Sequence, residues 1–195
     1  MPGKTTVACS HEQYETLIST IFEGIGTAIL PNPRIATALE IQANTGLRIG
    51  DILSLRMSCI IRDGNRYRFN MIEEKTKKRR NFIVPAAVYD FLSEYVDKYE
   101  VGAGDVIFPI TERAVQKHLR RVCDYLGHEY DHISTHSFRK YFGTEIYYAN
   151  NCDLELVRRL YQHSSAAVTA RYLCISDKKI DDALQNHVRL VCTTR

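Results

Sequence analysis

Hydrophobic and polar positions along this chain follow a helical spacing at the start, break into short strand-like runs in the middle, and return to a helical spacing after Pro85. The first part predicts a helix over 11–24 behind Ser10, a residue type that caps helix starts, and a second over 33–44. Asn32-Pro33 suits the opening of the second helix, because asparagine can cap it and proline loses no hydrogen bond at the first helical position. Gly46 ends it, and a short helical stretch over 49–55 follows. Residues 58–61, 66–71 and 81–84 read as three strands, with Asp63-Gly64-Asn65 as a hairpin turn and 73–80 as a second, charged connection. Beyond Pro85, residues Val88, Phe91, Leu92, Tyr95, Val96 and Tyr99 share one helix face, an aromatic stripe suited to packing on a core. Thr111 caps a helix to 126, with Val115, Leu119, Val122 and Leu126 on its apolar side. Helices over 135–149, 154–161 (capped by Asp153), 165–173 and 177–190 complete the pattern. The expected fold class is mainly α with a small three-stranded antiparallel sheet, α+β.

Composition narrows the setting. At 195 residues the chain can bury a sizeable core and is expected to form a single domain, with a flexible start over 1–9 and a tail over 174–195. No apolar run is long enough to cross a bilayer, and the first ten residues lack the apolar stretch of a signal peptide. The expectation is therefore a cytoplasmic protein with no membrane partner. Six cysteines are scattered without a Cys-x-x-Cys pair, so reduced thiols are expected. His128, His132 and His136 recur every four residues, but Gly127 and Asp131-His132-Ile133 oppose a continuous helix there. Neither a metal site nor a cofactor is expected.

Net charge is only +3, so distribution matters more than sum. Between 62 and 80 the chain carries Arg62, Arg66, Arg68, Lys75, Lys77, Lys78, Arg79 and Arg80 against Asp63, Glu73 and Glu74. A second basic set, Arg113, Lys117, Arg120 and Arg121, lies away from the apolar side of its helix. Concentrated cations of this kind suit a polyanion, and double-stranded DNA is the expected partner.

Four segments carry a more specific signal when taken together. They are Thr45-Gly46-Leu47-Arg48-Ile49-Gly50-Asp51, His136-Ser137-Phe138-Arg139, Leu160-Tyr161-Gln162-His163-Ser164-Ser165, and Thr169-Ala170-Arg171-Tyr172. In this order and at these intervals, with Tyr172 nine residues after His163, they resemble the boxes of the tyrosine recombinase (phage integrase) family's catalytic domain. The resemblance covers about 33–173. It implies a catalytic set of Arg48, Lys75, His136, Arg139, His163 and Tyr172, with Asp51 as an orienting partner of the arginine site. Lys75 stands in the turn where the family keeps its catalytic lysine; Lys77 and Lys78 are close by, and a basic hairpin touches phosphate whether or not it holds a catalytic group.

These residue types suit DNA strand transfer. A tyrosine can form a covalent intermediate and split the transfer into two reversible steps. Guanidinium forks match phosphate oxygens and stay charged. The resemblance implies that Lys75 protonates the departing 5′ oxygen, that His136 serves as general acid/base near the tyrosine, and that His163 donates to a phosphoryl oxygen. It further implies a metal- and ATP-independent site-specific recombinase that is a monomer in solution and a homotetramer on synapsed DNA, associated with the nucleoid when bound. Lys77, Lys78, Arg79, Arg80, Arg113, Lys117, Arg120 and Arg121 are the candidate DNA contacts. A type IB topoisomerase-like relaxation activity and a non-catalytic DNA-binding module of the same fold are the alternatives.

Two departures from the family pattern stand out locally: Tyr161-Gln162 replaces the usual Leu-Gly before His163, and Lys140 stands where many relatives have histidine. Residues 1–32 are too few for the N-terminal core-binding domain with which the family clamps DNA, so the expectation is a catalytic-domain fragment or dependence on another protein. The face Ile180, Ala183, Leu184 and Val188 of the terminal helix could dock on a neighbouring protomer or pack in cis.

Overall fold

The computed structural model describes residues 6–173 and residue 185; the rest of the expected terminal helix, with its docking face, lies outside the described residues. The chain divides into two compact units, 1–146 and 147–195.

In the first unit, local capping chemistry sets the helices. α1 (His11–Glu23) opens on a capping box, with the Ser10 side chain accepting from the Gln13 N–H and the Gln13 side chain returning to Ser10. α2 (Pro33–Thr45) begins as its sequence demands, with the Asn32 side chain accepting from the Ile35 N–H. It ends at Gly46 in the left-handed region (φ 63°), where a side chain would be strained. α3 (Ile49–Leu53) follows at once. α2 is buried on most of its positions, packs against α1 and α3, and forms the centre of the core with Leu17, Ile21, Ile52 and Leu55.

The middle of the chain forms β1 (Ile60–Asp63), β2 (Arg66–Phe69), β3 (Met71–Ile72), β4 (Arg79–Arg80) and β5 (Ile83–Val84). β1, β2 and β5 make the expected three-stranded antiparallel sheet, with Ile61 opposite Arg68 and Arg68 opposite Ile83. The expected second strand is divided, however. The β1–β2 pairing continues in register to Asn70, whose N–H donates to the Cys59 carbonyl, and beyond it β3 leaves β2 to pair with β4 as a separate ribbon, Met71 opposite Arg80. The expected third strand over 81–84 keeps only 83–84, and 79–80, expected in the connection, form a strand of that ribbon. The ribbon's turn is where Lys75 sits.

α4 (Ala86–Lys98) lays its apolar face on β2, with Tyr89 stacked on Tyr67 at 3.6 Å. α5 (Glu112–Leu126) is capped by Thr111 and buries Val115, Leu119 and Val122 against α1 and α3. α6 (Thr135–Ala149) runs out of the first unit into the second.

The second unit holds α7 (Leu154–Tyr161), capped by Asp153, packed on α8 (Ala166–Leu173). Among the described residues no helix is long and apolar enough to cross a membrane.

Candidate active site

Arg48, Lys75, His136 and Arg139 line one cleft of about 490 Å³ in the first unit, together with Asp51 and Lys77. They come from three places in the fold: the start of α3, the ribbon turn and α6. Gly46 turns the chain out of α2, and two residues later Arg48 stands at the N-cap of α3 with extended backbone (φ −71°, ψ 152°). The same turn aims the Gly46 carbonyl at α6, where it accepts a hydrogen bond from Arg139 Nη1. His136 and Arg139 are three residues apart on α6 and so share one face of the helix. Ser134 steadies its first turn by accepting from the His136 N–H at 3.2 Å.

The cleft floor is tied by carboxylates. Asp51 is 1% exposed, and its Oδ1 accepts from the Glu74 N–H at 2.8 Å, so it orients the Lys75 turn across 23 residues of sequence. Burial raises the Asp51 pKa and Glu73's charge adds to this, against the Glu74 N–H and the charges of Arg48 and Arg139. Glu73 itself is fully buried and accepts from Arg48 Nη1 at 2.5 Å, Thr76 Oγ1 at 2.7 Å and Arg80 Nη1 at 3.4 Å. Burial alone would raise its pKa, but these hydrogen bonds and the two guanidinium charges outweigh it and the net shift is downward. Glu73 had no role in the motif pattern. Its only trace in the sequence is an acid embedded in a basic run.

Burial lowers the His136 pKa below 6.5, aided by the charges of Arg139, Lys75 and Arg48 and opposed by Glu112. The unfolded chain therefore takes up this proton first, and folding loses stability as the pH falls from 6.5 through the folded-state pKa. Above 6.5 the group contributes no pH dependence. We expect the thermal midpoint of His136→Gln to fall less than that of the native chain between about pH 7.5 and 5.5, as calorimetry across that range would measure.

His163 and Tyr172 stand together in the second unit, with ring centroids 5.3 Å apart and planes at 70°. Tyr161, 1% exposed, packs edge-on to Tyr172 at 5.2 Å. His163 Nδ1 lies 3.1 Å from Thr169 Oγ1, and that hydroxyl in turn reaches the Ser165 carbonyl at 3.3 Å. A hydroxyl has one proton; if it goes to Ser165, Thr169 must accept from His163 Nδ1–H. The ring can then donate from Nε2 only as imidazolium.

Gln162 explains how the chain manages without the usual glycine. It caps α7 in the left-handed region (φ 55°, ψ 34°), the conformation glycine adopts freely. A non-glycine residue there costs about 1–2 kcal/mol, and glycine's extra chain entropy returns about 0.5–1 kcal/mol of this. The net gain of about 0.5–1 kcal/mol is expected to raise the thermal midpoint of Gln162→Gly by about 1–4 °C in a melting experiment. Lys140 is buried, and its Nζ donates to the Thr6 carbonyl at 2.7 Å.

The expected DNA contacts divide. Lys77, Lys78 and Arg79 are exposed on the ribbon, and Arg113, Lys117 and Arg121 are exposed on α5. Arg120 is exposed but salt-bridged to Asp124 at 2.7 Å. Arg80 corrects the expectation. It is 1% exposed and paired with Glu73, because successive residues of a strand point to opposite faces and Arg80 follows the outward-facing Arg79. No group of three His, Cys, Asp or Glu side chains able to hold a metal ion occurs among the described residues.

The model of the Phage integrase family matches residues 9–179. The chain belongs to the phage integrase family. Membership places it among the tyrosine recombinases. A Bacillus subtilis (strain 168) member, the probable integrase/recombinase YoeC, is 29% identical over 141 residues, 69% of this chain and 74% of YoeC. The tyrosine recombinase XerD of Rhizobium meliloti (strain 1021) is 24% identical over 168 residues, 82% of this chain and 53% of XerD. In fold, the chain resembles the XerH site-specific recombinase, crystallised bound to its palindromic difH substrate in a post-cleavage complex. The TM-score is 0.66 at 18% identity, with 93% of this chain and 53% of XerH covered. The chain thus spans about half the length of XerD and of XerH.

Proposed function

We propose that this family member is the catalytic portion of a site-specific recombinase that cleaves one DNA strand through a 3′-phosphotyrosyl link and rejoins it to a partner strand. Tyr172 is the nucleophile. Its oxygen attacks the scissile phosphorus, the P–O bond to the 5′ sugar oxygen breaks, and that oxygen takes a proton from Lys75. Arg48 and Arg139 hold the phosphoryl oxygens, His163 donates to one of them, and His136 serves as general acid/base for the tyrosine hydroxyl. The observation that carries this reading is the convergence of Arg48, Arg139, Lys75 and His136, distant in sequence, on one cleft.

The attack replaces one phosphodiester with another, so bond energy is kept and no ATP is consumed. The guanidinium and ammonium charges supply the neutralisation that a metal ion provides in other phosphoryl-transfer sites. Affinity rests on phosphate contacts from the ribbon and from Arg113, Lys117 and Arg121 of α5. On synapsed DNA the working assembly is a homotetramer, and the reaction takes place in the cytoplasm.

The test is adduct trapping. The chain is incubated with a pool of nicked duplexes of randomised sequence, in EDTA and without ATP, and SDS-stable protein–DNA adducts are recovered and sequenced. The proposal expects adducts enriched for a defined sequence. Adducts of no preferred sequence, with plasmid relaxation by the monomer, support the topoisomerase alternative; binding without adduct supports the non-catalytic one.

A further inference from the structure

We propose that Glu73 is a positioning residue that sets the Arg48 guanidinium and the Lys75 turn in a common register, with Arg80 as its buried counter-charge. The proposal rests on the recombinase reading and deepens it. One carboxylate, wholly removed from solvent, receives Arg48 through Oε2 and Arg80 through Oε1, and Thr76 also donates to Oε2. The Glu73 backbone closes the turn as well. Its N–H donates to the Lys78 carbonyl at 2.9 Å, and its carbonyl accepts from the Lys77 N–H at 2.9 Å. A residue so held cannot shift Arg48 without shifting the turn that carries Lys75.

The charges argue for more than a structural clip. A buried carboxylate facing a single arginine would neutralise it and weaken its hold on phosphate. Two arginines on one carboxylate leave a net positive charge, so Arg80 lets Glu73 fix Arg48 in place while the cluster keeps its attraction for an anion. Arg80 also reaches the Thr45 carbonyl at 3.5 Å, joining the ribbon to the end of α2 just before the Gly46 turn. The ribbon, the α2 terminus and the Arg48 side chain are thereby tied at one carboxylate.

Two measurements test this. The first needs no activity: in the DNA-free chain with labelled arginine, the Arg48 Nη–H signals (assigned by their loss in Arg48→Lys) should be resolved and slow to exchange, and should collapse in Glu73→Gln. The second is a double-mutant cycle on single-turnover cleavage of a substrate selected as above. Glu73→Gln is expected to slow cleavage on the order of 10- to 100-fold, the scale of a misplaced reacting group. In an Arg48→Ala background the same change should cost less than about threefold, because its target is gone. Glu73→Asp keeps the charge and should recover part of the rate; it also carries both readouts if Glu73→Gln fails to fold. Unchanged Arg48 signals in Glu73→Gln, or equal losses in both backgrounds, overturn the proposal. A native chain that forms no adduct overturns the recombinase reading, and the Arg48 signals still decide whether Glu73 holds that guanidinium.

Discussion

Tyr172→Phe abolishes covalent attachment to DNA, whereas Tyr161→Phe retains it. The expected loss is on the order of 10⁶-fold, the scale on which removing a nucleophile acts, and the adduct should fall below detection. The contrast is informative because the two rings touch: Tyr161 and Tyr172 stand 5.2 Å apart and edge-on. Tyr161 is buried to 1% exposure and serves packing, while Tyr172 is half-buried beside His163. Both substitutions keep the ring, so packing and the melting temperature should change little. DNA affinity should also hold, since phosphate contacts elsewhere dominate it. Gel-resolved trapping of the two variants, with equilibrium binding alongside, checks all three expectations.

Arg139→Lys should lower cleavage about 10²- to 10³-fold, equivalent to about 2.7–4 kcal/mol of lost transition-state stabilisation. The charge survives this change; the planar fork does not. Arg139 is 2% exposed and spends one arm of its guanidinium on the Gly46 carbonyl, which fixes the plane of the group against the cleft. A lysine ammonium cannot hold that carbonyl and two phosphoryl oxygens in one plane. Single-turnover rates at saturating DNA separate this from a binding defect. A loss confined to affinity would place Arg139 in binding and remove it from the transition state.

Much of this arrangement is legible in the sequence because it is set locally. Asn32-Pro33 opens α2, Gly46 closes it, and the three-residue interval of His136 and Arg139 puts both on one helix face. Where structure depends on partners distant in the chain, legibility ends. Residues 66–71 read as one strand, yet beyond Asn70 the run passes to a second sheet, because Met71 and Ile72 pair with Arg80 and Arg79. Arg79-Arg80 is a strand of two residues, too short for its alternation to reveal which arginine faces inward. The burial of Arg80 and the junction made by Glu73 follow from that parity. Gln162 shows the opposite case: the missing glycine was visible, but not that glutamine would adopt the left-handed cap in its place.

Whether Tyr172 carries DNA through a 3′-phosphotyrosyl bond is decided by mass spectrometry of the trapped adduct. After nuclease and protease digestion, one modified peptide is expected, bearing a nucleotide joined through its 3′ phosphate to Tyr172. A 5′ linkage, or modification of Tyr161 or any other residue, would contradict it.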